Sequence, residues 1–187
     1  MTQHKCDEIE KALAGASGPQ GDGGVASDAL GTILSWMQER EGSVFVIATA
    51  NDVRGLPPEL LRKGRFDELF WIDLPTTQER ISIIKAALAQ HGRSPDVVDV
   101  ASVAEFTSGF TGAEIAACVP DALFAAFADG ERQLNTEDIR LASTSVVPLA
   151  KTASEKITAL REWAKERARP ASTPETTSVG TVRSLDL

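Results

Sequence analysis

The chain has 187 residues, 42% hydrophobic and 25% charged, with a formal net charge of −8. That balance describes a soluble globular protein with enough apolar side chains for a core, as one ordinary domain or two small ones. The acidic surplus excludes a general nucleic-acid binder, which needs clustered cations to neutralise phosphates. The two cysteines, Cys6 and Cys118, form no metal-type spacing, and His4 with Cys6 supplies only two ligands, so neither a disulfide framework nor a zinc site is indicated. No run of eighteen apolar residues occurs and the N-terminus lacks a signal peptide's apolar core, so the reading is a cytoplasmic chain with reduced thiols and no membrane span.

The chain opens MTQHKCDEIEKAL, with the acidic pair Asp7-Glu8 behind six mostly polar residues. From Ala14 to Gly24 the composition is that of a flexible loop. The next segment, VASDALGTILSWMQER, sets Leu30, Ile33, Leu34 and Met37 at the spacing of an amphipathic helix, with Ser27 or Asp28 as its cap. SVFVIATAN is a short apolar run rich in β-branched residues; it predicts a strand buried on both faces and ending at Asn51. LPPELLRKGRFDEL predicts a short helix with proline in its first turn and Gly64 as its stop. LFWIDLP predicts a second apolar strand, closed by Pro75.

Beyond Thr76 the pattern is helical only. Three starts carry Thr followed three residues later by Glu, the reciprocal capping arrangement: Thr76 with Glu79, Thr111 with Glu114, and Thr152 with Glu155. The first helix has the stripe Ile81, Ile84 and Leu88 and the stop Gly92. A second covers roughly 97–105. The third, TGAEIAACVPDALFAAFADG, is apolar nearly all round and therefore central, with Pro120 expected to kink it or end its first half. Another begins near NTEDIRLA. The last runs from about Ser154 to Arg169; its basic surplus reads as a solvated face, with Ile157, Leu160 and Trp163 packed on the domain. The polar, proline-containing stretch from Pro170 predicts disorder. The expected organisation is an α/β part over 1–75, a helical domain over 76–148, a terminal helix over 149–169 and a tail over 170–187.

An acidic pair, a helix, a buried strand ending ATAN, then LLRKGRFD, a strand and a helical domain containing SGFTGAEI form a joint pattern that resembles the AAA ATPases. The words DEIEKAL, GTILSWMQE, LPPELLRKGRFDELF and WAKERARPAS are similar to the classical AAA branch, and within it to AAA proteins of cyanobacteria and plastid genomes. The resemblance runs from Asp7 to about Ser172 and implies an α/β fold: an incomplete P-loop NTPase parallel sheet, the AAA core, followed by an α-helical lid.

It also implies roles, in a reaction where catalysis is mostly positioning and charge stabilisation. Asp7 would hold Mg²⁺ and so contribute to cofactor binding, since a hard cation prefers carboxylate oxygen. Glu8 would polarise the attacking water, and Asn51 would hydrogen-bond that water or the terminal phosphate of ATP. Arg62 and Arg65 would be arginine fingers presented to the nucleotide of a neighbouring AAA subunit in a ring, a hexamer in the family. Gly112 and Ala113 would lie against adenine and ribose, the small residue allowing close backbone approach. The partner implied is a protein substrate to be remodelled.

Three features depart from the family pattern. No Gly-x4-Gly-Lys-Ser/Thr phosphate loop occurs in the 187 residues; the single Lys-Thr, Lys151-Thr152, follows Pro-Leu-Ala. MTQHKC lacks the apolar residues of the strand that should precede Asp7, and Asp28 stands where a cationic residue is expected. The sequence therefore predicts an ATP hydrolase segment, inactive alone for want of a phosphate cradle, or alternatively a non-hydrolysing ring or adaptor module that donates its arginines to a complete AAA partner.

Overall fold

The computed structural model of the protein describes residues 2–6, 8–12, 23–39, 44–53, 56–62 and 64–173. Asp7, most of the glycine-rich loop and the tail beyond Thr173 lie outside the described residues. The chain divides into two compact units, Met1–Leu69 and Phe70–Leu187.

In the first unit, strand β1 (Thr2–Cys6) pairs in parallel with β2 (Val44–Ala48), in a register that sets Thr2 against Val44 and Cys6 against Ala48. A parallel pair needs a crossover, and it is supplied by the single turn α1 (Ile9–Ala12) and the helix α2 (Gly23–Glu39). The polar segment TQHKC is thus a strand after all. Ladder bonds are made by backbone groups, so an apolar partner strand can fix the pairing without apolar residues in both.

Helix α2 starts at Gly23, which places both expected caps, Ser27 and Asp28, inside it. Burial of Met37, with Leu30, Ile33 and Leu34 packed beside it, drives this helix. Strand β2 departs from expectation as well. Val44, Val46 and Ala48 are half-buried, but Phe45 and Ile47 are 51% and 37% exposed. Ala48 packs into a small core of Ile9, Met37 and Leu60, and among the described residues nothing covers the opposite face to the same degree.

Residues 57–62 form consecutive turns where a helix was expected. Leu60 N–H donates to Pro57 C=O at 3.0 Å, Leu61 to Pro58 at 3.2 Å and Arg62 to Glu59 at 3.4 Å, all spanning three residues. Each donor reaches the carbonyl three residues back, the tighter 3₁₀-type closure used in short pieces. Gly64 ends it at φ +91°, a conformation that glycine takes without a Cβ clash.

The second unit begins with β3 (Phe70–Trp71), two residues of the longer strand expected. Helices follow as α3 (Thr77–Gln90), α4 (Val100–Phe106), α5 (Gly112–Ala128), α6 (Thr136–Thr144), α7 (Leu149–Thr152) and α8 (Ser154–Arg167). A final strand, β4 (Arg169–Pro170), pairs in parallel with β3. Ala171 N–H donates to Trp71 C=O at 2.8 Å, and the Ser172 hydroxyl donates to the Glu79 carboxylate. Order therefore continues past Pro170, where polar composition predicted none, because the β3 edge offers backbone partners.

Two of the three expected capping boxes form, at Thr76/Glu79 and Thr111/Glu114. The third does not: Thr152 is the last residue of α7, and α8 starts after Ala153 with no side-chain cap. Asn135 with Asp138 forms a box in its place at α6, using the same chemistry with shorter side chains. Helix α5 passes through Pro120 without ending. Its Ile115, Cys118, Val119 and Ala122 are buried with Ile84 and Leu88 of α3, Val103 of α4 and Ile139 of α6. Its Phe124 and Phe127 remain exposed, so α5 is central on one side only. Burial pushes the Cys118 thiol up to about 11, with Asp121 and Glu114 adding to the effect, so it serves as a packing group.

One buried cation was not foreseen. Arg80 is 7% exposed and spends its guanidinium on the Ala104 carbonyl at 2.7 Å, the Pro75 carbonyl at 2.8 Å and the Thr77 hydroxyl at 2.9 Å. It ties the start of α3 to the end of α4. On α8, Ile157, Leu160 and Trp163 are half-buried and Ala164 is buried, while Arg161 forks onto Asp73 at 2.7 and 2.8 Å.

Asp138 supplies a pH dependence. The fork from Arg132, at 2.6 and 2.7 Å, holds its carboxyl below the ordinary aspartate value against the opposing effect of burial, and the Asn135 N–H helps. A depressed carboxylate stabilises the fold above its unfolded pKa, and that contribution is lost as pH falls through the folded value. The thermal midpoint is accordingly expected to fall in acid below about pH 4. In Asp138→Asn that acid limb is flatter and the midpoint at neutral pH lower; an unchanged acid limb would contradict the assignment.

Candidate active site

Because β1 and β2 are parallel, their carboxyl ends lie side by side, which is where open α/β sheets bind ligands. Glu8 follows one end and Asn51 the other. Asn51 donates its side-chain N–H to Glu8 Oε1 at 3.0 Å, and Lys11 Nζ lies 2.6 Å from Glu8 Oε2. The Glu8 side chain is 43% exposed and that of Lys11 68%. An ion pair this exposed contributes only about 0–1 kcal/mol and is easily opened.

Glu8 is one of two non-glycine residues with positive φ among those described, at +51°. For an L-residue the left-handed conformation costs roughly 1–2 kcal/mol. Two bonds from the neighbouring strand end hold it: Glu8 N–H donates to Thr49 Oγ1 at 3.1 Å, and Ile9 N–H donates to Thr49 C=O at 2.9 Å. Ile9, 6% exposed, anchors the turn in the small core.

The arginines differ. Arg62 is exposed at the end of the turns, whereas Arg65 is half-buried and donates to the Glu59 carbonyl of its own loop. Gly112 and Ala113 are the first two residues of α5, in the second unit. A Cβ at Gly112 would come no nearer than 3.4 Å, to the flexible end of Ile83, so packing alone tolerates a methyl group there. The structure thus brings Glu8 and Asn51 together, keeps Arg62 and Arg65 on one loop of the same unit, and sets Gly112 and Ala113 in the other. Sequence reasoning missed Thr49 and Lys11. Lys11 carried a signal, three residues after Glu8 on a helical turn; Thr49 was hidden in the apolar strand.

Asp7, which the resemblance names as the metal ligand, lies outside the described residues, and no group of three His, Cys, Asp or Glu side chains among the described residues could hold a metal ion.

Residues 6–74 match the family described as ATPase family associated with various cellular activities (AAA), and residues 98–141 match the AAA+ lid domain. The chain is 44% identical over 168 residues to the "Uncharacterized AAA domain-containing protein ycf46" of Pyropia yezoensis, a match covering 89% of this chain and 34% of that protein. The chain belongs to the AAA family. This AAA chain is also 42% identical over 159 residues to the ycf46 protein of Guillardia theta, covering 84% of the chain and 31% of that protein. It is 39% identical over 104 residues to the ATP-dependent zinc metalloprotease FtsH of Acidothermus cellulolyticus, covering 56% of the chain and 16% of that protein. Its fold is similar to the crystal structure of the FIGL-1 AAA domain in complex with ADP, with a TM-score of 0.68 at 19% identity, over 89% of this chain and 57% of that one. The AAA chain spans about a third of the ycf46 relatives it matches.

Proposed function

We propose that this chain is the water-activating and arginine-donating part of an AAA ATPase that remodels a protein substrate. The observation that carries the reading is the Asn51 amide against the Glu8 carboxylate across the ends of two parallel strands. A carboxylate fixed by an amide on one oxygen keeps lone pairs with which to polarise water. Asn51, exposed beside it, is the amide that would meet that water or a terminal phosphate oxygen.

Arg62 is the better candidate finger, because it projects into solvent, while Arg65 shapes the loop through the Glu59 carbonyl. Asp7 is assigned to Mg²⁺, which when bound neutralises charge on the phosphates. Gly112 and Ala113 are assigned to adenine and ribose, supported by the absence of any packing demand for glycine at Gly112. Subunits are expected to assemble as a ring, a hexamer in the family. A cytoplasmic location accords with the described helices, none of which is long and apolar enough to cross a membrane.

These 187 residues contain no phosphate loop, so the cradle for ATP is assigned to residues outside them, in the same polypeptide or another subunit. Mg²⁺-ATP titrated into the 187-residue chain should show no binding tighter than about millimolar, and no steady hydrolysis. Micromolar affinity or turnover by this chain alone would overturn that division. The exposure of Arg62 also favours a second reading, in which the chain lends its arginine to a complete AAA partner without hydrolysing ATP itself. A partner whose ATPase rate responds equally to wild type and Arg62→Ala would exclude that reading.

A further inference from the structure

We propose that Thr49 is a positioning residue for Glu8: its hydroxyl and carbonyl hold the Glu8 backbone in the left-handed conformation that turns the carboxylate onto Asn51. The inference rests on the reading of Glu8 as the water-activating group. Its observations are separate from that reading. Glu8 adopts φ +51° without being glycine, and a strained backbone at a site persists only where its surroundings over-determine it.

Thr49 Oγ1 accepts the Glu8 N–H at 3.1 Å and Thr49 C=O accepts the Ile9 N–H at 2.9 Å. Two successive amides thus point at one residue, an arrangement that the reversal between β1 and α1 requires. Thr49 sits one residue past β2, and two residues before Asn51, so the same strand end that carries Asn51 also sets the angle of its partner. A β-branched side chain suits this task, because its χ1 is restricted and the hydroxyl is held where the amide arrives. Removing only that hydroxyl leaves the Glu8 N–H without this acceptor at a conformation already disfavoured. The backbone would then relax to negative φ and swing the Cα–Cβ bond away from Asn51.

The test compares Thr49→Val, which keeps the shape and loses the acceptor, with Thr49→Ser, which keeps the acceptor. In the full 187-residue chain, a residue at positive φ gives a strong intraresidue amide-to-Hα nuclear Overhauser effect. Glu8 should show it in wild type and Thr49→Ser and lose it in Thr49→Val. Thr49→Ala is the second variant should Val disturb the strand end, with the same expectation. A Glu8 signal that stays strong in the folded Val or Ala variant overturns the proposal. In the ATP-hydrolysing assembly, Thr49→Val should lower kcat by about 10- to 100-fold with KM for ATP unchanged, and Thr49→Ser should restore it. An unchanged kcat, with turnover still abolished by Glu8→Gln, would overturn the role of Thr49 alone. Full turnover in Glu8→Gln would instead overturn the reading of Glu8.

Discussion

Arg62→Ala is expected to lower ATP turnover by about 10³- to 10⁵-fold in an ATP-hydrolysing AAA assembly containing this chain, while changing the stability of the chain by no more than about 0.5 kcal/mol. The first half follows from the proposed finger role. A guanidinium stabilises charge that builds up on the transferred phosphoryl group, and that many decades correspond to about 4–7 kcal/mol of barrier at about 1.4 kcal/mol each. The second half follows from the structure, where Arg62 is exposed at the end of a run of turns and its own contribution to their closure is its backbone N–H to the Glu59 carbonyl. Arg62→Lys should not rescue, because an ammonium cannot fork onto two oxygens. Arg65→Ala should behave differently, lowering turnover and loosening the loop together, since it releases the Glu59 carbonyl. Steady-state hydrolysis and thermal melting of the three variants separate the cases. Retained turnover in Arg62→Ala would remove it from the catalytic assignment.

Leu88→Ala is expected to destabilise the helical unit by about 2–5 kcal/mol. Leu88 is fully buried between α3 and its neighbours, in the cluster that also holds Ile84, Val103, Ile115 and Ile139. Alanine is the better helix former, so local propensity opposes the loss, and the cost measures the transfer and cavity terms. Gln90→Ala, on the exposed side of the same helix, is the control and should stay within about 0.5 kcal/mol. Urea unfolding should show a lower midpoint for Leu88→Ala at unchanged slope. A loss comparable with the control would mean that the site collapses to fill the void.

The helical unit was more legible than the α/β unit. In α3 the stripe Ile81, Ile84 and Leu88, the Thr76/Glu79 box and the stop at Gly92 are all local signals, and the helix runs between the cap and the stop they name. Propensity and capping act within a few residues, so sequence order exposes them. The box at Asn135/Asp138 is equally local, with Asn and Asp in place of Thr and Glu. In the other unit the decisive groups come from afar. TQHKC has no strand signal of its own and becomes β1 through its pairing with β2. LPPELLRKGRFDEL offered a proline in the first turn and Gly64 as a stop, but the bonds from Leu60, Leu61 and Arg62 each span three residues and leave turns.

The same division holds at the candidate site. Residue type and spacing suffice for the family, for the order of Glu8, Asn51, Arg62 and Arg65 along the chain, and for the absence of a phosphate loop from these residues. Folding was needed to show Glu8 left-handed and bonded to Thr49, its carboxylate meeting Asn51 and Lys11, and Arg62 exposed while Arg65 is bound to its own loop. Glu8 and Thr49 stand 41 residues apart. The parallel register that brings them into contact is a cooperative property of two strands and the crossover between them, so neither strand's residues specify it separately.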